Sequence, residues 1–216
     1  MRMYFACKIF LVSCSVLSAT SSMARADLIT FEREHDFDPI QLDGKVVGSI
    51  IRQGLTATFT ANVGELNVTG SSFGINVLET ADLPSVLDTF EGTVESITIT
   101  FNKPVEFTQL TLNAFTPGET AMLTVGRNTT ESLDALPPGI DVYNFTDSSF
   151  TNNGNRIDLG QSLVVGSGTG NGFSLEGFQV NVVPEPTCLS IALPVLAGML
   201  LRRRREEDVV CQTDKR

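Results

Sequence analysis

The 216-residue chain has no tryptophan, one histidine and two tyrosines, and its four cysteines all lie outside residues 27–183. Each shortage removes a class of chemistry. Cys7 and Cys14 sit near the start, and Cys188 and Cys211 near the end, so the central body has no disulfide and no thiol nucleophile. A serine triad would have to use His35. That residue stands in the acidic segment Glu34-His35-Asp36, with no Gly-x-Ser-x-Gly element in the chain, and reads as a solvated surface histidine. Zinc needs several His or Cys ligands and finds one candidate. Glycan clefts often stack sugars on tryptophan; here Tyr143 and the phenylalanines are the rings the body can offer. Carboxylate pairs can cleave glycosides, but among so many acids their pairing carries no weight. The expectation is a non-enzymatic protein, with a glycan-active hydrolase as the enzymatic alternative.

Positive charge is also scarce. Asp27 to Val183 holds twenty carboxylates and six Lys or Arg, a balance of −14, and bases at the two ends bring the whole chain to −10. An acidic body repels nucleic acid and acidic polymers, so no nucleic-acid partner is expected. Divalent cations and neutral sugars suit it better.

A third shortage is helical periodicity. No body stretch of ten residues repeats its apolar positions every 3.6 residues, whereas period two is frequent. Leu55, Ala57 and Phe59 alternate with Thr56, Thr58 and Thr60. Phe73, Ile75 and Val77 alternate likewise, as do Ala121, Leu123 and Val125. Glu95, Ile97, Ile99 and Phe101 share a face opposite Ser96, Thr98 and Thr100. Val105 and Phe107 have one parity while Leu110, Leu112 and Ala114 have the other, so a bulge is expected near Thr108-Gln109. Asn102-Lys103-Pro104, Thr116-Pro117-Gly118-Glu119, Pro137-Pro138-Gly139 and Asn152-Asn153-Gly154-Asn155 punctuate the strands. Asn128 to Asn155 has few apolar anchors and reads as loop-rich. Strands of about six residues separated by such turns predict an all-β domain, an antiparallel β-sandwich over residues 27–183. The sequons at Asn67, Asn128 and Asn144 are of the kind that threonine-rich strands produce by chance.

The two ends read differently. Arg2 and Lys8 precede the apolar stretch Ile9–Ala19, and Ala24-Arg25-Ala26 forms a small-x-small site. Residues 1–26 are therefore expected to be a signal peptide cleaved after Ala26. Leu11-Val12-Ser13-Cys14 offers a lipobox-like alternative, in which Cys14 would carry lipid. Lys8 leaves five apolar-region residues before Cys14, which favours the Ala26 site.

At the other end, Thr187 to Leu201 is uncharged over 15 residues and meets Arg202, Arg203, Arg204 and Arg205. As a helix it would reach about 22 Å, short of a hydrocarbon core of about 30 Å. The arginines can snorkel to headgroups, and a basic flank prefers the cytoplasmic side. One short transmembrane helix is expected, with residues 206–216 as a cytoplasmic tail.

Pro184-Glu185-Pro186, the apolar run Leu189–Leu201 and Arg202–Arg205 together resemble the PEP-CTERM sorting signal of exported bacterial proteins. The resemblance implies a sorting motif at Pro184, Glu185 and Pro186. It implies recognition by an exosortase-type membrane enzyme, and a location in the cell envelope or, after processing, in the extracellular matrix or biofilm. The chain departs from the pattern by running 11 residues, Glu206 to Arg216, past the arginines. Ile29-Thr30-Phe31-Glu32 and Gly172-Phe173-Ser174-Leu175-Glu176-Gly177-Phe178 resemble the first and last strands of exported jelly-roll domains found among such proteins, which are similar in outline to carbohydrate-binding modules. That likeness implies extracellular polysaccharide as a partner.

Calcium, which takes six to eight oxygen ligands, is the metal the composition suits. Glu34, Asp36, Asp38 and Asp43 cluster after the first strand, and Asn152, Asn153, Asn155 and Asp158 form an amide-rich turn. If the first and last strands are neighbours, Glu32 and Glu176 could share the ion. A calcium set of Glu32, Glu34, Asp36, Asp38 and Glu176 would serve a calcium-assisted carbohydrate-binding module. The plainer reading of each cluster is a solvated turn, and both stand at this point.

Overall fold

A computed structural model describes residues 27–33, 35–37, 39–70, 72–77, 86–90, 92–137, 141–150 and 154–184. Along the chain run β1 (Leu28–Glu32), α1 (Pro39–Leu42), β2 (Val47–Arg52), β3 (Leu55–Ala61), β4 (Glu65–Val68) and β5 (Phe73–Asn76). Then come β6 (Thr89–Phe90), β7 (Thr93–Val94), β8 (Ser96–Phe101), β9 (Val105–Asn113), β10 (Thr120–Val125) and β11 (Glu131–Asp134). The last are β12 (Asp141–Asn144), a 3-10 turn at Asp147–Ser149, β13 (Arg156–Ile157), β14 (Ser162–Ser167) and β15 (Ser174–Val182). The protein is all-β and its ladders are antiparallel.

Two main sheets face each other. Sheet I has the order β1-β15-β9-β12, with β13 also on β9; sheet II has the order β11-β10-β14-β8-β3-β2. The rings of Phe59 on β3 and Phe101 on β8 each lie 6.1 Å from that of Phe178 on β15, so the two inner faces share one core. Phe178 also stacks on Phe31 of β1 at 4.8 Å. Phe37, from the segment between β1 and α1, reaches Phe59 and Phe73. These large rings supply much of the buried apolar area, in a body without disulfides.

Alternation sets the faces of sheet II. Leu55, Ala57, Phe59 and Ala61 are buried, as are Ile97, Ile99, Phe101, Ala121, Leu123 and Val125, while the intervening residues face outward. Thr58 pairs with both Ser49 and Thr100, building a hydroxyl-bearing outer surface. Glu95 shares the inner parity, as expected, and is fully buried. Its Oε2 accepts a hydrogen bond from the Asp88 amide at 3.0 Å, which gives the buried carboxylate a partner. The β2–β3 hairpin turns on Gln53 and Gly54 at φ 50° and 77°. Positive φ at both central residues matches the twist of the flanking strands.

Sheet I is less regular. The ladder of β15 on β9 runs from Val180↔Phe107 to Gln179↔Gln109, leaving Thr108 as an extra residue. This is the bulge expected from the parity change, and it lets Phe107 and Leu110 both point inward. A second irregularity falls at Glu176, between the pairs Leu175↔Leu112 and Gly177↔Thr111.

The loop-rich expectation for Asn128 to Asn155 fits most of its described residues, but two short strands interrupt it. β11 forms there on β10, and β12 forms on β9. Both strands are four residues long at sheet edges, and half their residues are exposed. Cross-strand pairing, with Leu133 opposite Ala121 and Tyr143 opposite Leu110, supplies the order that local sequence does not.

Candidate functional site

Joining the first strand to the last creates the site. β1 pairs with β15 along its whole length, Leu28↔Asn181 to Glu32↔Gly177. The outer face of sheet I then carries two residue rows across four strands. One is Thr30, Gln179, Gln109 and Asn144; the next is Glu32, Gly177, Thr111 and Val142. Between them lies a half-open groove of about 320 Å³, walled by Thr30, Glu32, Gln109, Thr111, Glu176 and Gln179. Its floor is Phe31, Gly177 and Phe178, with both rings buried beneath.

The floor needs glycine. A Cβ on Gly177 would lie 2.5 Å from the Phe31 carbonyl oxygen, so any larger residue would push β1 off β15. The row beside it is held from within. The Gln109 Nε2 donates to Asn144 Oδ1 at 2.9 Å, and the Thr108 hydroxyl of the bulge donates to the Gln179 carbonyl at 3.2 Å.

An ion pair closes one end. Arg33 Nε meets Glu176 Oε2 at 2.9 Å and its Nη2 meets Oε1 at 3.2 Å; Nη1 donates to the Gly70 carbonyl at 2.5 Å. The Arg33 amide donates to the Glu176 carbonyl at 2.8 Å, so backbone and side chain both clamp the strands together. The side chains are 8% and 18% exposed, dry enough for the two-pronged pair to count.

The structure does bring Glu32 and Glu176 to one end of this groove, as neighbouring strands predict. Glu176, however, already faces the Arg33 guanidinium. Asp36 is similarly engaged: one oxygen accepts from Arg52, and the other from the Glu32 amide at 2.9 Å. Asp43 Oδ1 caps the Val68 amide at 3.0 Å. Among the described residues, no three His, Cys, Asp or Glu side chains gather in a way that could hold a metal ion. Glu34 and Asp38 lie outside those residues, as do Asn152 and Asn153. Of that second cluster, Asp158 pairs with Arg156 at 2.7 Å, and Asn155 is buried with its Oδ1 unpaired. His35 is exposed.

Sequence reasoning missed Thr30, Gln109, Thr111 and Gln179. Their signal is faint: outward-parity polar residues flanking an expected bulge. Nothing local says which strands will lie side by side.

The tail joins the body close to this sheet. β15 ends at Val182, the Val183 amide donates to the Pro104 carbonyl at 3.0 Å, and Pro184 follows exposed. Among the described residues no helix is long and apolar enough to cross a membrane. Ala24, Ala26, Cys14, Glu185, Pro186, the apolar run and Arg202–Arg205 lie outside them.

Comparison with known proteins gives no match: no family model, no curated protein and no solved structure is recognisably similar to the chain.

Proposed function

We propose that this chain is a non-enzymatic protein of the bacterial cell envelope or extracellular matrix. Residues 1–26 export it, and residues 184–205 sort it as a PEP-CTERM-type substrate of an exosortase-like enzyme. The body would be a jelly-roll-like β-sandwich carried on a short transmembrane helix before processing. One observation carries the reading: the order of parts, from a basic and apolar leader through a β body to Pro184-Glu185-Pro186, Leu189–Leu201 and Arg202–Arg205. The position of the junction supports it. An exposed Pro184 two residues beyond the last strand leaves the triplet next to a folded body, where a membrane enzyme could reach it. The non-enzymatic part is supported by a body without cysteine, whose one histidine is exposed.

Intact-mass measurement of the protein recovered from its own cells tests this. The expected mature chain starts at Asp27, or at lipidated Cys14 in the alternative, and its C-terminus lies near the triplet. Replacing Pro184, Glu185 and Pro186 with alanine should leave residues 187–216 attached. A wild-type protein in the cytoplasm with residues 1–26 retained would sink the reading.

A further inference from the structure

We propose that the groove on the outer face of sheet I binds a neutral polysaccharide chain. Gln109 and Gln179 would supply its hydrogen bonds, and Thr30 and Thr111 would form its walls. The proposal goes beyond the sorting reading and stands without it, because these residues form the groove whatever becomes of the tail.

The chemistry of the lining selects the occupant. Each glutamine amide carries donors and an acceptor on one small group, and each threonine hydroxyl does both jobs. Sugar hydroxyls likewise donate and accept, so the row Thr30, Gln179, Gln109 and Asn144 matches a polyol. An anionic chain would meet Glu32 and Glu176 at the groove's end, and the nearby Arg33 is committed to Glu176 and to the Gly70 carbonyl. The −14 body adds long-range repulsion. A cationic ligand would meet Glu32 as its one carboxylate partner here, because Glu176 is already paired with Arg33. A peptide adding as a strand needs a free sheet edge; this groove lies on the outer face of sheet I across β1, β15 and β9, where the backbones of β15 and β9 are laddered on both sides and that of β1 is laddered to β15 on the groove's side. Its volume of about 320 Å³ lies at the small end of ligand sites, which fits a short stretch of a longer chain better than an enclosed molecule.

The groove's lining includes no exposed aromatic ring, so stacking adds little and hydrogen bonds carry the affinity. Each site should therefore bind weakly, with a dissociation constant roughly in the millimolar range.

Affinity electrophoresis reads binding of that strength. The full chain, in mild detergent, is run through native gels containing dextran, laminarin, hydroxyethylcellulose or alginate. The expected result is retardation by at least one of the three neutral polymers and none by alginate. Gln109→Ala with Gln179→Ala should weaken that retardation by about tenfold or more, with the thermal midpoint kept. Thr98→Ala on sheet II should leave it unchanged. If the double variant does not fold, Thr111→Arg, which fills the groove from an outward position, serves instead and should abolish retardation. Failure of all three neutral polymers overturns the proposal. So does retardation that survives both groove variants, or retardation by alginate alone. Concentration-dependent self-association removed by the groove variants would assign the groove to a second copy and overturn it as well.

Discussion

The two sheets share one core but solve the outer face differently. The centre of sheet II follows strict alternation: on β3 and β8 threonine and serine point outward and aliphatic residues and phenylalanine inward, with unbroken registers there and on β14. The outer surface there is a band of hydroxyls, in which Ser49 and Thr58 bond to each other at 2.9 Å, with Val47 and Ile51 exposed beside it on β2. Sheet I breaks alternation twice, at Thr108 and at Glu176, and there the outer face holds amides, carboxylates and a groove. Period-two patterning builds a wall; departures from it re-aim side chains and leave room between them. The irregular sheet is therefore the one to look to for recognition.

Deleting one residue from each sheet tests the contrast at its sharpest. Removing Thr98 from β8 would put Ile99 directly after Ile97 and turn one of them outward, along with everything beyond it. That variant is expected not to fold, with no cooperative transition by circular dichroism. Removing Thr108 from β9 is expected to be tolerated. Gln109 would follow Phe107 and keep its outward side, and Leu110 would stay inward. The cost should be about 2 kcal/mol in urea, for the lost Thr108–Gln179 hydrogen bond and the bond from the Phe145 amide to the Thr108 carbonyl. Equal losses from the two deletions would mean that Thr108 is not a spare residue.

The shared core gives the next largest effect. Phe178 touches Phe31, Phe37, Phe59 and Phe101 and is 1% exposed. Phe178→Ala should cost about 3–5 kcal/mol in urea denaturation. Thr98→Ala on the outer face should stay within about 0.5 kcal/mol. A similar loss from both would mean that the sheets do not pack through these rings.

The Arg33–Glu176 clamp comes third. Glu176→Gln removes the charge that Arg33 faces and should cost about 2 kcal/mol, a charge-assisted bond in a partly exposed setting. Adding Arg33→Met should recover part of that loss in a double-mutant cycle. A Glu176→Gln variant as stable as wild type would show that the pair holds nothing at the second bulge.

The contrast also explains what could be read from the chain beforehand. In sheet II β3, β8 and β10 were legible because each declares its own inner face: Leu55, Ala57 and Phe59 need no knowledge of their neighbours. The bulge at Thr108 was legible for the same reason, being a parity conflict within one strand. The groove was not. It depends on β1 lying against β15 and β15 against β9, residues far apart in sequence, and on the short strand β12 that local composition hides. The acidic cluster after β1 misleads in a related way. Asp36 and Asp43 look like free ligands in a string of letters, yet Arg52, the Glu32 amide and the Val68 amide bind them once the chain folds.

The smallest effect concerns the seam where the edges of the two sheets meet. Tyr143 on β12 of sheet I donates its hydroxyl to the carbonyl of Asp134 on β11 of sheet II, at 2.6 Å. Burial raises the pKa of the phenol, and the nearby charge of Asp141 adds to the rise, from 10.0 to about 12. The folded protein thus keeps this proton to higher pH than the unfolded chain. Tyr143 contributes its stability in full below pH 10 and loses it as pH climbs from about 10 to about 12. Tyr143→Phe should lower stability at neutral pH by about 1 kcal/mol, the worth of one hydrogen bond. It should also flatten the fall in thermal midpoint between pH 10 and 12. Phenolate absorbance provides a direct check, because Tyr4 is the chain's other tyrosine and the difference between wild type and variant isolates Tyr143. A phenol titrating near 10 in the folded protein would mean that the seam is open to water there, and that the Leu136 amide's bond to Asp141 Oδ1 at 2.7 Å ties these edges without help from the phenol.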